Sequence, residues 1–135
     1  MSLRSVVGQY LVAAAVFLVL DLLWIGFVAQ GLYERLLGDL LADEPNVAAA
    51  AIFYAIFVAG LVYFVIAPAV ERGTMRSALL GGAAFGLVTY ATWDLTSLAV
   101  IEGFPVAIVP IDIAWGSVLA ASVSGVTYYV LRRRR

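Results

Sequence analysis

Long apolar stretches, separated by short polar segments, fill most of this chain. Four of them, approximately residues 6–29, 47–70, 77–100 and 106–131, are each long enough to cross a bilayer core, which takes about 20 helical residues at 1.5 Å each. The pattern predicts an all-α membrane protein with a single transmembrane domain over residues 1–135. Because short connections make sequential helices antiparallel neighbours, we expect an up-down four-helix bundle.

The first connection is longer than the others and has an amphipathic pattern. In residues 30–42, leucines recur at helical spacing between Glu34, Arg35 and Asp39. This pattern fits either an extension of the first helix or a short helix in the membrane interface. Asp43 and Pro45 then provide start signals for the second helix. The first apolar stretch is too long for a typical cleaved signal, so we interpret it as a spanning helix.

The distribution of arginines predicts the orientation. All eight basic residues are arginines, and only Arg35 lies in the first connection. The other seven lie at the N-terminus, in the second connection and at the C-terminus: Arg4, Arg72, Arg76 and Arg132–Arg135. The positive-inside rule then places both termini in the cytoplasm. No other basic cluster accompanies the C-terminal run, so we expect it to bind anionic lipid and expect no nucleic-acid partner.

Three aspartates lie inside the apolar stretches, each close to a tryptophan. A carboxylate near the centre of a spanning helix costs roughly 2.5–3.5 kcal/mol on insertion scales and usually marks a functional site. No basic residue within these stretches can pair with them. The aspartates and their neighbouring tryptophans are Asp21 with Trp24, Asp94 with Trp93, and Asp112 with Trp115.

The predicted topology brings the three aspartates to one level. Counted along antiparallel helices, each lies roughly 8–12 Å below the outer boundary of the membrane. The second helix contributes a tyrosine hydroxyl at this depth, and the third contributes a tyrosine and a threonine close to its aspartate. These additional candidates for binding a ligand or a proton are Tyr54, Tyr90 and Thr96. We interpret tyrosines near the helix ends, including Tyr33 and Tyr128, as interfacial belt residues.

Buried carboxylates restrict the chemistry. Asp21, Asp94 and Asp112 cannot all stay ionised without a counter-charge, because desolvation and mutual repulsion disfavour the charged form. They could hold protons, bind a hard cation or pair with Arg35. The absence of histidine and cysteine argues against zinc and copper, so a metal ion bound by the three would be sodium, calcium or magnesium. Aromatic faces beside carboxylates also suit an organic cation, and no cofactor is predicted.

Four motifs are distributed along the chain: F-L-V-L-D-L-L-W (Phe17–Trp24), F-Y (Phe53, Tyr54), Y-A-T-W-D-L-T (Tyr90–Thr96) and D-I-A-W-G (Asp112–Gly116). In these motifs the chain resembles a bacterial family of small inner-membrane proteins, domain of unknown function 2177. The family often has an asparagine after D-L-T and a tryptophan before the proline of the third connection. This chain has Ser97 and Phe104 there. The resemblance implies a four-helix, multi-pass protein of the inner membrane, without an established activity.

Three functions fit these residues. A proton- or cation-coupled carrier of a small cationic solute comes first, with a homodimer expected because four helices make a small wall for a pathway. A non-catalytic accessory or assembly subunit of a larger membrane complex, associated with lipid or pigment, comes second. An intramembrane acid–base enzyme is third, since the chain has no serine–histidine constellation, phosphate loop or metal-ligand motif.

Overall fold

The structure, a computed structural model, describes residues 2–42, 44 and 46–132, and the regular structure in them is helical. The predicted all-α class is confirmed. The start signals expected at Asp43 and Pro45, and Arg133–Arg135 of the basic run, lie outside the described residues. The helices are α1 (Leu3–Trp24), α2 (Gln30–Leu37), α3 (Val47–Leu61), α4 (Ala67–Arg72), α5 (Met75–Val100) and α6 (Ile108–Arg132).

Three helical segments of the described chain are long and apolar enough to cross a membrane, by length and composition: Leu3–Ala29, Val47–Arg72 and Ile108–Arg132. Helix α5 has the length of a span, with 26 residues, but is not one of the three. Its glycines, its threonines and Asp94 make it less apolar. A multi-pass membrane protein is therefore supported, whereas the fourth spanning helix stays a prediction.

A π-helical turn, Ile25–Ala29, joins α1 to α2 without a break. The amphipathic segment is thus an extension of the first helix, which was one of the two alternatives for residues 30–42. The extension ends at Gly38, whose φ of 53° lies in a region that residues other than glycine rarely adopt. A short 3₁₀ turn, Gly38–Leu40, follows. Asn46 then caps α3, its side chain accepting a hydrogen bond from the Ala49 amide at 3.0 Å.

A second π-helical turn, Val62–Ile66, joins α3 to α4. Pro68 lies at the start of α4, where it has no N–H to donate to the preceding turn. A local widening of the helix is one way to accommodate a proline inside a continuous helix. The second helical segment therefore continues to Arg72, where Gly73 ends it in the left-handed conformation with a φ of 72°.

Helix α5 packs most extensively against α6, and glycines set how closely the two approach. A Cβ atom added at Gly86 would lie 2.2 Å from the carbonyl oxygen of Gly116, and one added at Gly82 would lie 2.6 Å from that of Ala120. Real Cβ atoms do not come so close to backbone atoms. The small-residue stripes therefore pack α5 and α6 of the same chain against each other.

Pro110 lies in the first turn of α6, which begins at Ile108. A proline there costs little, because the first N–H groups of a helix have no partner within the helix. Pro110 therefore starts α6 and does not kink it. Asp112 follows within the next turn, on regular helical backbone.

We expect Gly86→Ala to lower the stability of the protein by about 1–3 kcal/mol, the usual cost of overpacking. The added methyl group would meet the Gly116 backbone, which can move only by separating the two helices. Thermal unfolding of the purified protein in detergent measures the effect. Gly8→Ala is the matched control, because its Cβ would meet only Leu131 Cδ2 at 4.0 Å. Equal stability of both variants would contradict the close crossing.

Candidate functional site

Asp94 and Asp112 form a carboxyl pair across the α5–α6 crossing. Asp94 is 1% exposed, and among the described residues neither of its oxygens has a hydrogen-bond donor. Asp94 and Asp112 lie close enough to interact by charge, and their carboxyl groups are within reach of a shared hydrogen bond. Two ionised carboxylates offer acceptors only, so this hydrogen bond exists only when one acid carries a proton. The pair is therefore suited to share a proton.

Tyr33 on α2 is a direct partner of this pair. Its hydroxyl donates a hydrogen bond to Asp112 Oδ1 at 2.7 Å. Burial of the phenol, the hydrogen bond to Asp112 and the carboxylate charge raise the pKa of Tyr33 well above its usual value, so it remains a donor at neutral pH. Our interpretation of Tyr33 as an interfacial belt residue is wrong. It is also wrong for Tyr128, which is 2% exposed and packs in the core.

The π-helical turn explains why Tyr33 reaches the site. Tyr33 lies twelve positions after Asp21, which in a regular α-helix would leave it roughly 120° away around the axis. A π bulge inserts one residue into a turn and so rotates the following helix back by about 100°. The bulge at Ile25–Ala29 therefore returns Tyr33 to the face that carries Asp21. Arg35 on the same helix is exposed, so the tyrosine, and not the arginine, contacts Asp112.

Asp21 has its own tyrosine partner. The Tyr54 hydroxyl on α3 donates to Asp21 Oδ2 at 2.5 Å, and Asp21 is 8% exposed. Phe17, one turn before Asp21 on α1, packs edge-to-face on the Tyr54 ring with centroids 5.0 Å apart. This contact fixes the ring that presents the hydroxyl. The sequence-based expectation of a phenol beside the carboxylates thus corresponds to a specific pair.

Tyr90 lies between the two carboxyl sites. Its hydroxyl is close enough to interact electrostatically with both Asp21 and Asp112. The ring occupies space that only a glycine leaves free, because a Cβ atom at Gly116 would lie 2.2 Å from Tyr90 Cγ. The close helix crossing therefore positions Tyr90 as well as the carboxyl pair.

Two tryptophans stack beside the carboxyl groups. Trp24 on α1 and Trp115 on α6 have ring centroids 4.4 Å apart and planes within 7° of parallel. The Trp24 side chain also lies close to the Tyr33 hydroxyl. The Trp115 Nε1 atom is buried and has no hydrogen-bond partner among the described residues. The indole N–H can only donate, so a donor with no acceptor is present at this site.

The helix registers arrange the carboxyl groups on a slope. Along α1 and α6, Trp24 lies opposite Trp115, and a Cβ atom added at Gly8 would contact Leu131. In this register the backbone of Asp21 lies about six residues, roughly 9 Å, further from the α5–α6 turn than the backbone of Asp112. Gly86 opposes Gly116, which places the Asp94 backbone about four residues, or roughly 6 Å, on the other side of Asp112. The three backbone positions are therefore stepped and not at one level.

Helical side chains tilt toward the N-terminus of their own helix. On antiparallel helices this tilt moves the Asp94 carboxyl toward Asp112 and the Asp112 carboxyl toward Asp94. It explains how two residues on different levels form a pair. Asp21 remains separate, and among the described residues no group of three His, Cys, Asp or Glu side chains is arranged to hold a metal ion. Asp21, Asp94 and Asp112 thus do not converge as a metal-ligand set.

Two predicted site residues do not join the cluster of buried polar groups. Thr96 is exposed, and its hydroxyl donates to the backbone carbonyls of Thr92 and Trp93 on its own helix. Trp93 is 59% exposed and packs edge-to-face on Phe104 at 6.5 Å. Ser97, one turn beyond Trp93, is buried instead. The remaining predicted residues lie in or beside the cluster.

Trp93 nevertheless lines a pocket that opens beside the cluster. The pocket has a volume of about 420 Å³, within the range of small-molecule sites. Asp112 is the only acidic group among its lining residues, which are Phe53, Thr89, Tyr90, Trp93 and Asp112. Three aromatic rings and one carboxyl group are therefore presented to one cavity.

A family described as predicted membrane protein, domain of unknown function 2177, matches residues 6–129. The chain belongs to this family. The match covers every residue of the carboxyl and tryptophan cluster, and it confirms the resemblance carried by the aspartate motifs. No curated protein and no solved structure matches the chain.

We expect Tyr54→Phe to destabilise the protein by about 1–3 kcal/mol, because it leaves a buried acceptor of Asp21 without its donor. Unfolding in mixed detergent micelles measures this change. Tyr63→Phe is the matched control, since Tyr63 is 73% exposed. The double variant Asp21→Asn/Tyr54→Phe should be destabilised by less than the sum of the destabilisations in the two single variants. Full additivity would mean that the two side chains do not interact.

Proposed function

We propose that this protein is a proton- or cation-coupled carrier of a small cationic solute in the bacterial inner membrane. Four spanning helices, with α5 as the fourth and both termini in the cytoplasm, would form it. The observation that carries the proposal is the Asp94–Asp112 pair beside an open aromatic pocket. A homodimer would supply the second wall of a pathway, as four helices alone enclose little space.

The lining of the pocket supports a cationic solute. Phe53, Tyr90 and Trp93 present aromatic rings, and Asp112 presents a carboxyl group. A cation is attracted to the face of an aromatic ring by the ring quadrupole and gains further from a nearby carboxylate. An anionic solute would be repelled by the carboxylate and by the negative faces of the aromatic rings. The volume suits a compact organic cation.

The carboxyl pair supports coupling to protons. Asp94 is buried, and no donor in the described part of the chain reaches it, so it avoids the cost of an isolated buried charge only by holding a proton or facing a cation. A proton and a cation cannot both neutralise the same negative charge, which makes their binding competitive. Competition between the two for one site is the physical basis of exchange transport.

The accessory-subunit function is the second candidate, and specific contacts favour it. The hydrogen bonds of Tyr33 to Asp112 and of Tyr54 to Asp21 each join two helical segments, as structural aspartates would. The Asp94–Asp112 pair would also meet the basic requirement of acid–base catalysis. Only the carrier, however, requires that a cation and protons compete at the aspartates.

We expect single cysteines at Ser2 and Glu71 to react with a membrane-impermeant maleimide only from the cytoplasmic side, and cysteines at Glu44 and Glu102 only from the opposite side. The chain has no native cysteine, and all four positions are exposed. Labelling of intact cells and of inverted vesicles makes the measurement. Reaction of the Glu71 and Glu102 positions from the same side would mean that α5 does not span the membrane.

We expect tryptophan fluorescence of the purified protein to change with pH, and tetraethylammonium to move the transition to lower pH by competing with protons. The stacked pair Trp24–Trp115 lies beside the carboxyl groups and provides the signal. Sodium, calcium and magnesium are compared at equal concentration. The double variant Asp94→Asn/Asp112→Asn should lose the transition and the cation effect.

Asp39→Asn is the matched control, because Asp39 is an exposed acid outside the cluster. It should retain the full response. If the wild-type signal were independent of both pH and cations, the carrier proposal would fail and the accessory function would take its place. Retention of the response in the double variant would locate the titrating group elsewhere.

A further inference from the structure

We infer that Asp94 retains its proton and donates it in a hydrogen bond to an ionised Asp112, so that the pair presents one negative charge to the pocket and selects monovalent cations. This inference rests on the proposed function and names the class of cation that its site takes. It starts from a difference between the two acids. Asp112 lines the pocket and accepts a hydrogen bond from Tyr33. Asp94 is 1% exposed and is not among the described lining residues.

The available donors decide which acid carries the proton. Ionised Asp94 would be a buried charge whose only donor among the described residues is a protonated Asp112, and a poorly satisfied buried charge is costly. Ionised Asp112 keeps the Tyr33 hydroxyl at 2.7 Å and gains a second donor when Asp94 is protonated. Ionising both acids would add repulsion between two carboxylates. The most stable arrangement therefore has the proton on Asp94 and the charge on Asp112.

The groups around the pair do not reverse this order. A positive charge beside Asp94 would favour its ionised form, but the surrounding groups are phenols and one further acid. A phenol donates a hydrogen bond without adding a charge, and Arg35 on α2 is exposed. The titratable groups that face the two acids, directly or through Tyr90, are Tyr33 from α2, Tyr90 from α5, Tyr54 from α3 and Asp21 from α1.

A single negative charge matches a monovalent cation. Such a cation beside Asp112 neutralises the pair, whereas calcium or magnesium would leave an uncompensated positive charge in a mostly apolar site. These two ions also take about six to eight oxygen ligands. The described lining supplies one carboxyl group, the hydroxyls of Thr89 and Tyr90, and three aromatic rings. It therefore suits a cation that is attracted to aromatic faces and needs few oxygen ligands.

The competition in the proposed carrier is retained, because a second proton on Asp112 or a cation in the pocket can neutralise the one negative charge. When a cation replaces that second proton, the Asp112 O–H bond breaks, its electron pair stays on the carboxylate, and the proton leaves to water. The pair with its ligand has no net charge before and after the exchange. Asp94 keeps its own O–H bond throughout, so it is a positioning residue that acts through Asp112.

Infrared spectroscopy of the purified full-length protein tests the location of the proton, because the C=O stretch of a protonated carboxyl group is separate from the bands of a carboxylate. At neutral pH we expect a protonated-carboxyl band that tetraethylammonium does not remove. The band should disappear in Asp94→Asn and remain in Asp112→Asn. Asp39→Asn changes an exposed acid and should match the wild type. Retention of the band in Asp94→Asn with its loss in Asp112→Asn would overturn the inference.

Tryptophan fluorescence tests what the proton of Asp94 does. Asparagine provides an amide donor but no ionisable group, so Asp94→Asn should keep a pH transition and a tetraethylammonium affinity close to those of the wild type. Asp94→Leu removes the donor, so Asp112 should bind protons more tightly and the pH midpoint should rise by about one unit. A purely structural role for Asp94 would lower yield or stability in both variants and leave the midpoint unchanged.

Ion selectivity of the wild type keeps the test decisive if neither Asp94 variant folds. Tetraethylammonium should move the fluorescence transition to lower pH, whereas calcium and magnesium at equal ionic strength should not. An effect of either divalent ion at least as large as that of tetraethylammonium would indicate a second negative charge and overturn the inference.

The outcomes separate the inference from the proposed function. Loss of tetraethylammonium binding in a folded Asp94→Asn variant would mean that Asp94 contributes charge, which overturns the inference and leaves the carrier proposal standing. A wild-type transition that no cation moves would overturn the carrier proposal together with the predicted selectivity. The infrared band would in that case still decide whether Asp94 holds the proton.

Discussion

The close approach of α5 and α6 is the constraint on which the candidate site depends. Gly86 lies against Gly116 so closely that no Cβ atom fits. Tyr90 is one turn beyond Gly86, and Asp112 is one turn before Gly116, so the crossing that removes the side chains also brings these two groups together. A wider crossing would separate Asp94 from Asp112 and leave Asp94 as an isolated buried acid.

The same crossing explains why α5 is the least apolar of the long helices. Glycine at the contact lets the backbones meet, and the acid that must be neutralised lies just beyond it. The lower hydropathy of α5 is tolerated because α6 covers one face of this helix. A helix with this composition is more favourable inside a helical assembly than facing lipid.

Much of the fold could be predicted because long apolar runs and helix-ending glycines act locally. The three aspartates could also be identified, because a carboxylate in apolar sequence is conspicuous. Their pairing could not be predicted, since it depends on the offset of α5 against α6 and on the tilt of their side chains. Counting from helix ends placed the acids at one level, whereas the registers set by Trp24–Trp115 and Gly86–Gly116 place them on a slope.

Tyr33 was missed for a different reason. A regular 3.6-residue period carries it away from the face of Asp21, and only the π bulge at Ile25–Ala29 returns it. A π bulge has no reliable sequence signal, so the tyrosine resembled an ordinary residue of the membrane interface. The one available hint was that the amphipathic segment follows the first helix without a proline or an N-cap residue between them, which favours one continuous helix.

The choice of tyrosine as the partner of these acids has a consequence for function. An arginine beside Asp21 or Asp112 would hold the carboxylate ionised and would compete with any incoming cation, because its guanidinium does not lose its proton in proteins. A phenol provides a hydrogen bond without a positive charge. It stabilises the carboxyl group without placing a positive charge beside it. Arg35, although close in sequence to Tyr33, is exposed, so the group on α2 that contacts Asp112 is a neutral phenol.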